Sequence, residues 1–344
     1  MATWPKTGFL PAGVPVVPSS EGAVADVAEA EAFADRIGFP VMIKASAGGG
    51  GRGIRVCGDA ETLREQFAIA RAEARAAFGN DEIYVEKFLS SPRHVELQVL
   101  ADGFGNIAHL GERECTIQRR FQKLIEESPS LALSQQLRQR MGEAAVRAMR
   151  AVGYRNAGTV EFLLDRDKRF YFIEINSRIQ VEHPVTELVT GIDLVKEQIR
   201  LAAGAELGYT SADVAFRGSA IECRINAEDP ERNFLPCPGT VERYHAPSGP
   251  GVRIDTHLYE GYELPVYYDS LLAKLVAYAA DRPAAIAVMK RALAELEIAP
   301  IKTAVPLYER VVDDPAFRAG EFDTSYIKKF VADDEDDDDE DDGD

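Results

Sequence analysis

Runs of apolar and polar residues divide the chain into segments with distinct periods. From Ala23 to Ile37 alanines and spaced apolar residues recur at helical intervals and stop at Gly38, which predicts a helix with a glycine stop. Pro40–Ala45 reads as a short strand, Ile54–Cys57 as a second, and the glycines between them as a hairpin loop. Ala60–Phe78 has helical spacing, and Glu82–Phe88 reads as a strand. A strand-rich stretch follows, with expected strands at His94–Ala101, Ile107–Arg113, Thr159–Leu164 and Phe170–Ile175, and a long helix at Ser134–Val152. The last two strands, joined by the polar turn Asp165-Arg166-Asp167-Lys168, are expected to pair antiparallel. Later strands around Ala220–Asn226 and Leu271–Tyr278 precede helices near Ala284–Leu296 and Thr303–Val312. There is no internal repeat. The pattern predicts an α+β protein: a small glycine-loop domain, 16–88, on a larger antiparallel body, 89–331.

Composition narrows this only slightly. At 344 residues, 46% hydrophobic and 28% charged, the chain resembles an ordinary soluble globular protein with two or three domains. No apolar run approaches the ~18 residues of a membrane span, and no secretory signal is recognisable at the N-terminus. Four scattered cysteines, Cys57, Cys115, Cys223 and Cys237, without a Cys-x-x-Cys, argue against a zinc site or disulfide framework and suit the cytoplasm. The net charge of −18 is concentrated at one end. Asp333–Asp344 holds eleven carboxylates; without them, 39 basic side chains face 46 acidic ones, a charge of −7. Residues 332–344 are expected to be a disordered, self-repelling tail, and the acidity disfavours nucleic-acid binding.

Several polar groups stand where an apolar pattern leaves no room for an idle charge. Gly48, Gly50 and Gly53 fit G-x-G-x-x-G, but a strand follows them, whereas the dinucleotide fold requires a helix; no Lys-Ser/Thr follows either, which excludes a Walker loop. A hairpin without Cβ atoms can instead fold over phosphates, so Gly49, Gly50 and Gly51 are candidate phosphate contacts. Lys44, inside an apolar strand, should face an anion. Glu161 and Glu174 on adjacent strands would repel unless a cation joins them, and Asn176, two residues beyond Glu174, shares its face: a magnesium-type set. Arg178 could grip a carboxylate or bicarbonate, Glu182 could act as a base, and His183, before Pro184 and a helix, reads as structural. Arg224, on another apolar strand, also wants an anion; Glu222 is expected on the opposite face from it.

Taken together, these residues resemble biotin carboxylase, a family of ATP-grasp enzymes. The likeness is carried by Lys44-Ala45-Ser46-Ala47 with the glycine loop, Glu86-Lys87-Phe88-Leu89, Glu112-Arg113-Glu114-Cys115 through Gln122-Lys123, Phe172-Ile173-Glu174 through Thr186-Glu187, Glu222-Cys223-Arg224 through Asp229, and Tyr267-Tyr268-Asp269-Ser270. It runs from about Ala12 to Phe330, and it rests on their order and number. It implies an ATP-grasp small (lid) domain at 16–88, a large-domain core at 89–215 and the biotin carboxylase C-terminal domain at 216–331. Residues 1–15 would be a remnant or linker, and the family's N-terminal Rossmann-like domain would be missing.

The resemblance also implies roles. Lys44 and Lys123 would hold ATP phosphates, with Lys123 also near bicarbonate. Glu86, Lys87 and Leu89 would line the adenine pocket, and His94 and Gln118 would meet the ribose. Glu161, Glu174 and Asn176 would hold magnesium or manganese. Arg178, Gln180 and Val181 would bind bicarbonate, Glu182 would deprotonate it, and Arg224 would stabilise the biotin enolate. Phe121 stands where the family usually has a ribose-contacting histidine, which is expected to weaken nucleotide binding. With no biotin attachment motif, biotin would arrive on a separate carrier protein, with a carboxyltransferase completing an acetyl- or acyl-CoA carboxylase of fatty acid biosynthesis. A homodimer is expected, and no membrane or nucleic-acid partner. Two other readings stand beside this one: a nucleotide-binding pseudoenzyme or regulatory protein, and an ATP-grasp carboxylate–amine ligase.

Overall fold

The computed structural model describes residues 12–46, 54–265 and 267–331. Gly49, Gly50 and Gly51 of the glycine run, and the acidic tail, lie outside the described residues.

The first described helix, α1 (Val27–Ile37), begins four residues later than the alanine pattern suggests. The Asp26 side chain accepts from the Glu29 amide and so starts the helix, while Gly38, at φ 75°, ends it. Helix α2 (Ala60–Phe78) has the expected bounds for the same reasons: Asp59 accepts from the Thr62 amide and Gly79 is left-handed at φ 69°. Both pack on a three-stranded antiparallel sheet made of β1 (Val41–Ala45), β2 (Ile54–Cys57) and β3 (Ile83–Lys87), with β1 in the middle. Val41, Ile43, Leu63, Ile83 and Val85 fill its core.

The body is one eight-stranded antiparallel sheet. Its strands are β4 (Arg93–Ala101), β5 (Ile107–Arg119), β6 (Gln122–Ser128), β7 (Asn156–Leu164), β8 (Phe170–Asn176), β9 (Ser219–Asn226), β13 (Val252–Thr256) and β14 (Leu271–Ala279). They lie in the order β13-β14-β9-β6-β5-β4-β7-β8. The expected Thr159–Leu164 and Phe170–Ile175 pairing is present, with Glu161 directly opposite Glu174. Two pairs of short strands lie outside this sheet: β10 (Glu228–Asp229) with β11 (Leu235–Pro236), and β12 (Arg243–His245) with β15 (Glu297–Ala299). The sheet runs through both 89–215 and 216–331, because β9 is hydrogen-bonded to β6 on one side and β14 on the other.

Five helices cover this sheet or flank it, and a short one follows. Helix α3 (Gln135–Ala151), started by the Ser134 side chain, packs Met141, Ala145 and Ala148 against Val95, Leu97, Val160 and Phe162. After α4 (His183–Thr190) and α5 (Leu194–Ala202) come α6 (Arg282–Glu295), α7 (Val305–Asp313) and α8 (Pro315–Ala319). Helices α6 and α7 cover Ile221, Cys223 and Ile225, while Val185 and Val189 of α4 sit on Ala220 and Val276. Because successive strand residues point to opposite faces, the alternate residues His94, Glu96 and Gln98 of β4 turn away from α3. All three are buried, so one face of the sheet carries a polar core.

Arg113 on β5 anchors that core with no exposed surface. Its Nε donates to Glu96 Oε1 at 2.5 Å, Nη1 to Gln98 and Thr186, and Nη2 to Thr159 and Gln180, so every donor of the guanidinium has an acceptor. Removing one partner of such a pair strands a buried charge and costs about 3–5 kcal/mol. Arg113→Met should therefore lower the unfolding free energy by that amount in urea titrations; a loss below ~1 kcal/mol would contradict this role.

Candidate active site

The polar face gathers side chains from six strands around Lys123, near the start of β6. Its ammonium donates to Glu96 Oε2 at 2.5 Å, Glu182 Oε1 at 2.6 Å and Glu161 Oε1 at 3.1 Å. Burial opposes the charge on Lys123, but the surrounding anions, Glu96 foremost, outweigh burial and raise its pKa well above the ordinary lysine value. Burial likewise opposes ionisation of Glu96, yet Arg113 and Lys123 bring its pKa down to about 2. Glu182, just before α4, is 2% exposed, and its other oxygen accepts from Arg224 Nη2 at 2.9 Å. The Arg224 Nε donates to Glu126 Oε1 at 2.5 Å. Charges of opposite sign thus alternate along one continuous row: Arg113, Glu96, Lys123, Glu182, Arg224, Glu126.

Beside this row lie the three expected metal ligands. Glu161 Oε1 accepts from Asn176 Nδ2 and Gln180 Nε2, each at 2.9 Å, and Oε2 meets His94 Nε2 at 2.8 Å. Burial opposes the Glu161 charge, but the His94 and Lys123 contacts hold its pKa well below the usual carboxylate range. Asn176 Nδ2 also reaches Glu174 Oε1 at 3.2 Å, so the amide bridges the two carboxylates. A donor occupies the place where a cation would join them, and a half-turn of that amide presents Oδ1 instead. Two carboxylates and an amide oxygen at the edge of the site, with Glu174 exposed, suit a hard divalent cation that keeps waters and phosphate oxygens. His94, Glu96 and Cys115 also bring ligand atoms within 4.8 Å of one another. Burial and the nearby Glu96 raise the Cys115 thiol well above its usual pKa, and Glu96 is already held by two cations, so this trio reads as part of the row.

Other expected residues fall in differing places. Lys44 faces an anion, as its strand position predicts; here the anion is Glu86, at 2.7 Å. Lys87 donates to the carbonyls of Gly38 and Phe39, so its ammonium points away from Glu86. His94 lies against Glu161. Gln118, half-buried, pairs with Lys123 across β5 and β6, and Leu89 is half-buried just after β3. Gln180 joins the polar core through Arg113, and the Val181 carbonyl accepts from Lys274. Arg178 stays exposed and donates to the Ile179 carbonyl, apart from the row. His183 takes the structural role expected of it at the start of α4, where its Nδ1 lies 2.9 Å from the Gln180 carbonyl. One expectation is wrong: Glu222 lies two residues from Arg224 on β9, and a period of two puts both on the same face. Glu96, Arg113 and Glu126 were not anticipated as site residues. Only Glu96, between Val95 and Leu97, carried the signal that singled out Lys44 and Arg224; Arg113 stands between Glu112 and Glu114, and Glu126 beside Glu127, so neither is a lone charge in an apolar run.

Comparison with known proteins agrees with this arrangement. Residues 7–210 match the family described as carbamoyl-phosphate synthase L chain, ATP binding domain, and residues 222–329 match the biotin carboxylase C-terminal domain. Biotin carboxylase 1 of Bacillus subtilis is 54% identical over 320 residues, which are 93% of this chain and 71% of that protein. The chain belongs to the biotin carboxylase family. The 2-oxoglutarate carboxylase small subunit of Hydrogenobacter thermophilus is 50% identical over 92% of this chain and 67% of its own length. Among solved structures, the biotin carboxylase domain dimer of the same organism's 2-oxoglutarate carboxylase, in complex with MgADP, ADP and bicarbonate, is 50% identical with a TM-score of 0.84. It aligns over 94% of this chain and 72% of that one.

The β5–β6 turn carries Phe121, expected from the resemblance to stand in place of a histidine. Arg120 and Phe121 are both left-handed, at φ 47° and 64°, and Phe121 is 83% exposed at the tip. Two successive left-handed residues are what a two-residue hairpin turn between Arg119 and Gln122 requires, and the pairing that follows sets Gln118 opposite Lys123. Among the described residues, no helix is long and apolar enough to cross a membrane.

The shared position of Glu161, Asn176 and Glu174 makes a direct prediction about metal. Glu174→Gln removes one anionic ligand and should raise the magnesium concentration for half-maximal ATP cleavage roughly 10–100-fold. An unchanged magnesium titration would remove Glu174 from the metal site.

Proposed function

We propose that this chain catalyses ATP-dependent carboxylation of biotin with bicarbonate, through carboxyphosphate, as the first half-reaction of a biotin-dependent carboxylase. The observation that carries the proposal is Glu182, gripped by Lys123 on one oxygen and by Arg224 on the other, with the Glu161–Asn176–Glu174 set alongside. A base and two fixed cations in one buried row, with a metal seat beside it, are the parts that phosphoryl transfer to a small anion requires.

In this reading Glu182 takes the proton of bicarbonate, and the freed oxygen attacks the γ-phosphorus as the bond to ADP breaks. Lys123 lies beside Glu182 and can follow charge onto the forming carboxyphosphate, with Gln180, Val181 and Arg178 framing bicarbonate. Magnesium or manganese, when bound by Glu161, Glu174 and Asn176, would neutralise phosphate charge. Lys44 would leave Glu86 for the phosphates as nucleotide enters, and Glu86, the Lys87 main chain and Leu89 would line the base. His94, tied to Glu161, would couple the nucleotide and metal seats, with Gln118 near the ribose and Gly49–Gly51 over the phosphates. After carboxyphosphate yields CO2 and phosphate, phosphate takes the ureido proton of biotin, and Arg224 stabilises the enolate by charge-assisted hydrogen bonds.

The biotin would be presented by a carrier protein and passed to a carboxyltransferase, in the cytoplasm and from a homodimer. Relatives of similar identity differ in the acceptor that their names state, pyruvate in one and 2-oxoglutarate in another, so the acceptor is left to those partners. The ligase alternative has no use for Arg224 in the row, and the pseudoenzyme alternative has no use for a complete one.

ATP cleavage should depend on bicarbonate, and addition of biotin should divert it to carboxybiotin. Arg224→Ala should depress carboxylation of biotin by ~10²–10³, the scale for losing one charge-assisted donor, while depressing bicarbonate-dependent ATP cleavage less. Equal losses in both would assign Arg224 to ATP or bicarbonate, and ATP cleavage indifferent to bicarbonate would overturn the proposal.

A further inference from the structure

The row does not end at Glu126. On β9, the neighbour of β6, Glu222 lies directly opposite Glu126 in the strand register, so both side chains project from the same face of the sheet. Neither has any exposed surface. Glu126 Oε1 holds Arg224, but among the described residues Glu126 Oε2 and both Glu222 oxygens have no hydrogen-bond partner. Three buried carboxylate oxygens without donors, on two adjacent residues, would be an exceptional cost if both groups were ionised.

The surroundings decide which of the two is neutral. Opposite Glu222 on β14 stands Val276, which with Ala220, Val185 and Val189 forms the apolar patch beneath α4. The charged groups nearest this face are Arg224 on β9, Lys274 on β14, Glu126 and Lys123 on β6, and Glu182 before α4. Arg224 is committed to Glu126 and Glu182, and Lys274 to Asp255 and the Val181 carbonyl. Among the described residues, no cation pairs with Glu222. Burial first, and then the Glu126 charge, push its pKa well above the usual range; burial also pushes Glu126 up, to about 7, but the Arg224 guanidinium held on its Oε1 opposes the rise there, so of the two Glu222 keeps the proton.

We infer that Glu222 is a neutral carboxylic acid whose O–H donates to Glu126 Oε2, and that this hydrogen bond makes Glu126 the positioning residue for Arg224. The bond satisfies both oxygens of Glu126, one by the Arg224 Nε and one by Glu222. It leaves Glu126 ionised and fixed in direction, so that Arg224 is aimed along the row toward Glu182. One proton is held by the pair, and together they present a single negative charge to the guanidinium. The inference rests on the proposed role of Arg224 only for its activity readout. The protonation state is independent of it.

Infrared difference spectroscopy of the full chain tests the proton. At neutral pH the protein should show a carboxylic-acid C=O band that shifts on deuteration and is missing from Glu222→Gln. No difference in that region overturns the inference, whatever the enzyme's activity. Rescue tests the positioning. Glu222→Gln keeps a donor and should hold biotin carboxylation within about threefold, whereas Glu222→Leu should lower its kcat roughly 10–100-fold, the scale on which outer partners act, with a smaller change in the KM for ATP. If Gln and Leu variants lose activity equally, or if neither does, Glu222 does not position Arg224. Should Glu222→Leu fail to fold, the infrared band and the Glu222→Gln rates still decide the matter.

Discussion

Burying a charge is tolerable only when an opposite charge and hydrogen bonds meet it, and one face of the eight-stranded sheet is organised by that constraint. Lys123 is its centre. The ammonium satisfies three glutamates drawn from β4, β7 and the segment before α4. Each of those carboxylates reaches onward, Glu96 to Arg113, Glu161 to His94 and Asn176, and Glu182 to Arg224. Remove Lys123 and three buried anions face one another. The fold therefore supplies the reason for its own polar core, and the same row forms the catalytic ensemble proposed for this biotin carboxylase.

The sheet is what makes such a row rigid. Its strands present alternate residues to α3, α6 and α7 as apolar packing, and the remaining residues to the polar side. Each functional side chain thus leaves a strand whose other face is locked in a core, so small displacements of one charge must move its neighbours. A preorganised set of this kind needs little rearrangement as charge develops in a reaction, which is where electrostatic stabilisation gains its strength. Glu174 and Arg178, exposed at the margin, are free to respond to what binds.

Much of the fold could be read from local pattern. Helix α2 was legible to the residue because Asp59 and Gly79 mark its ends, and the β7–β8 pair because a polar turn separates two apolar runs. Strand β6 was not legible. Its sequence, Gln-Lys-Leu-Ile-Glu-Glu-Ser, has charges on both faces, and it is a central strand only because Glu126 meets Arg224 and Glu127 meets Arg282, partners 98 and 155 residues away. Edge strand β13, half-buried and short, carries too weak an alternation to announce itself. In the site, isolated charges on apolar strands were legible as needing partners; which partner the folded chain itself supplies was not, as with Glu86 for Lys44. Arg113 was missed because, between Glu112 and Glu114, it looks unremarkable until the register of β4 and β5 places it opposite Glu96.

The central claim is that Arg113 and Arg224, which share no partner, belong to one energetic unit through Glu96, Lys123 and Glu182. A double-mutant cycle on unfolding free energy, with Arg113→Met, Arg224→Met and the double variant, tests it most directly. The account predicts a coupling larger than ~0.5 kcal/mol, as for residues in one ionic network; additivity within ~0.5 kcal/mol, as for independent sites, would contradict it.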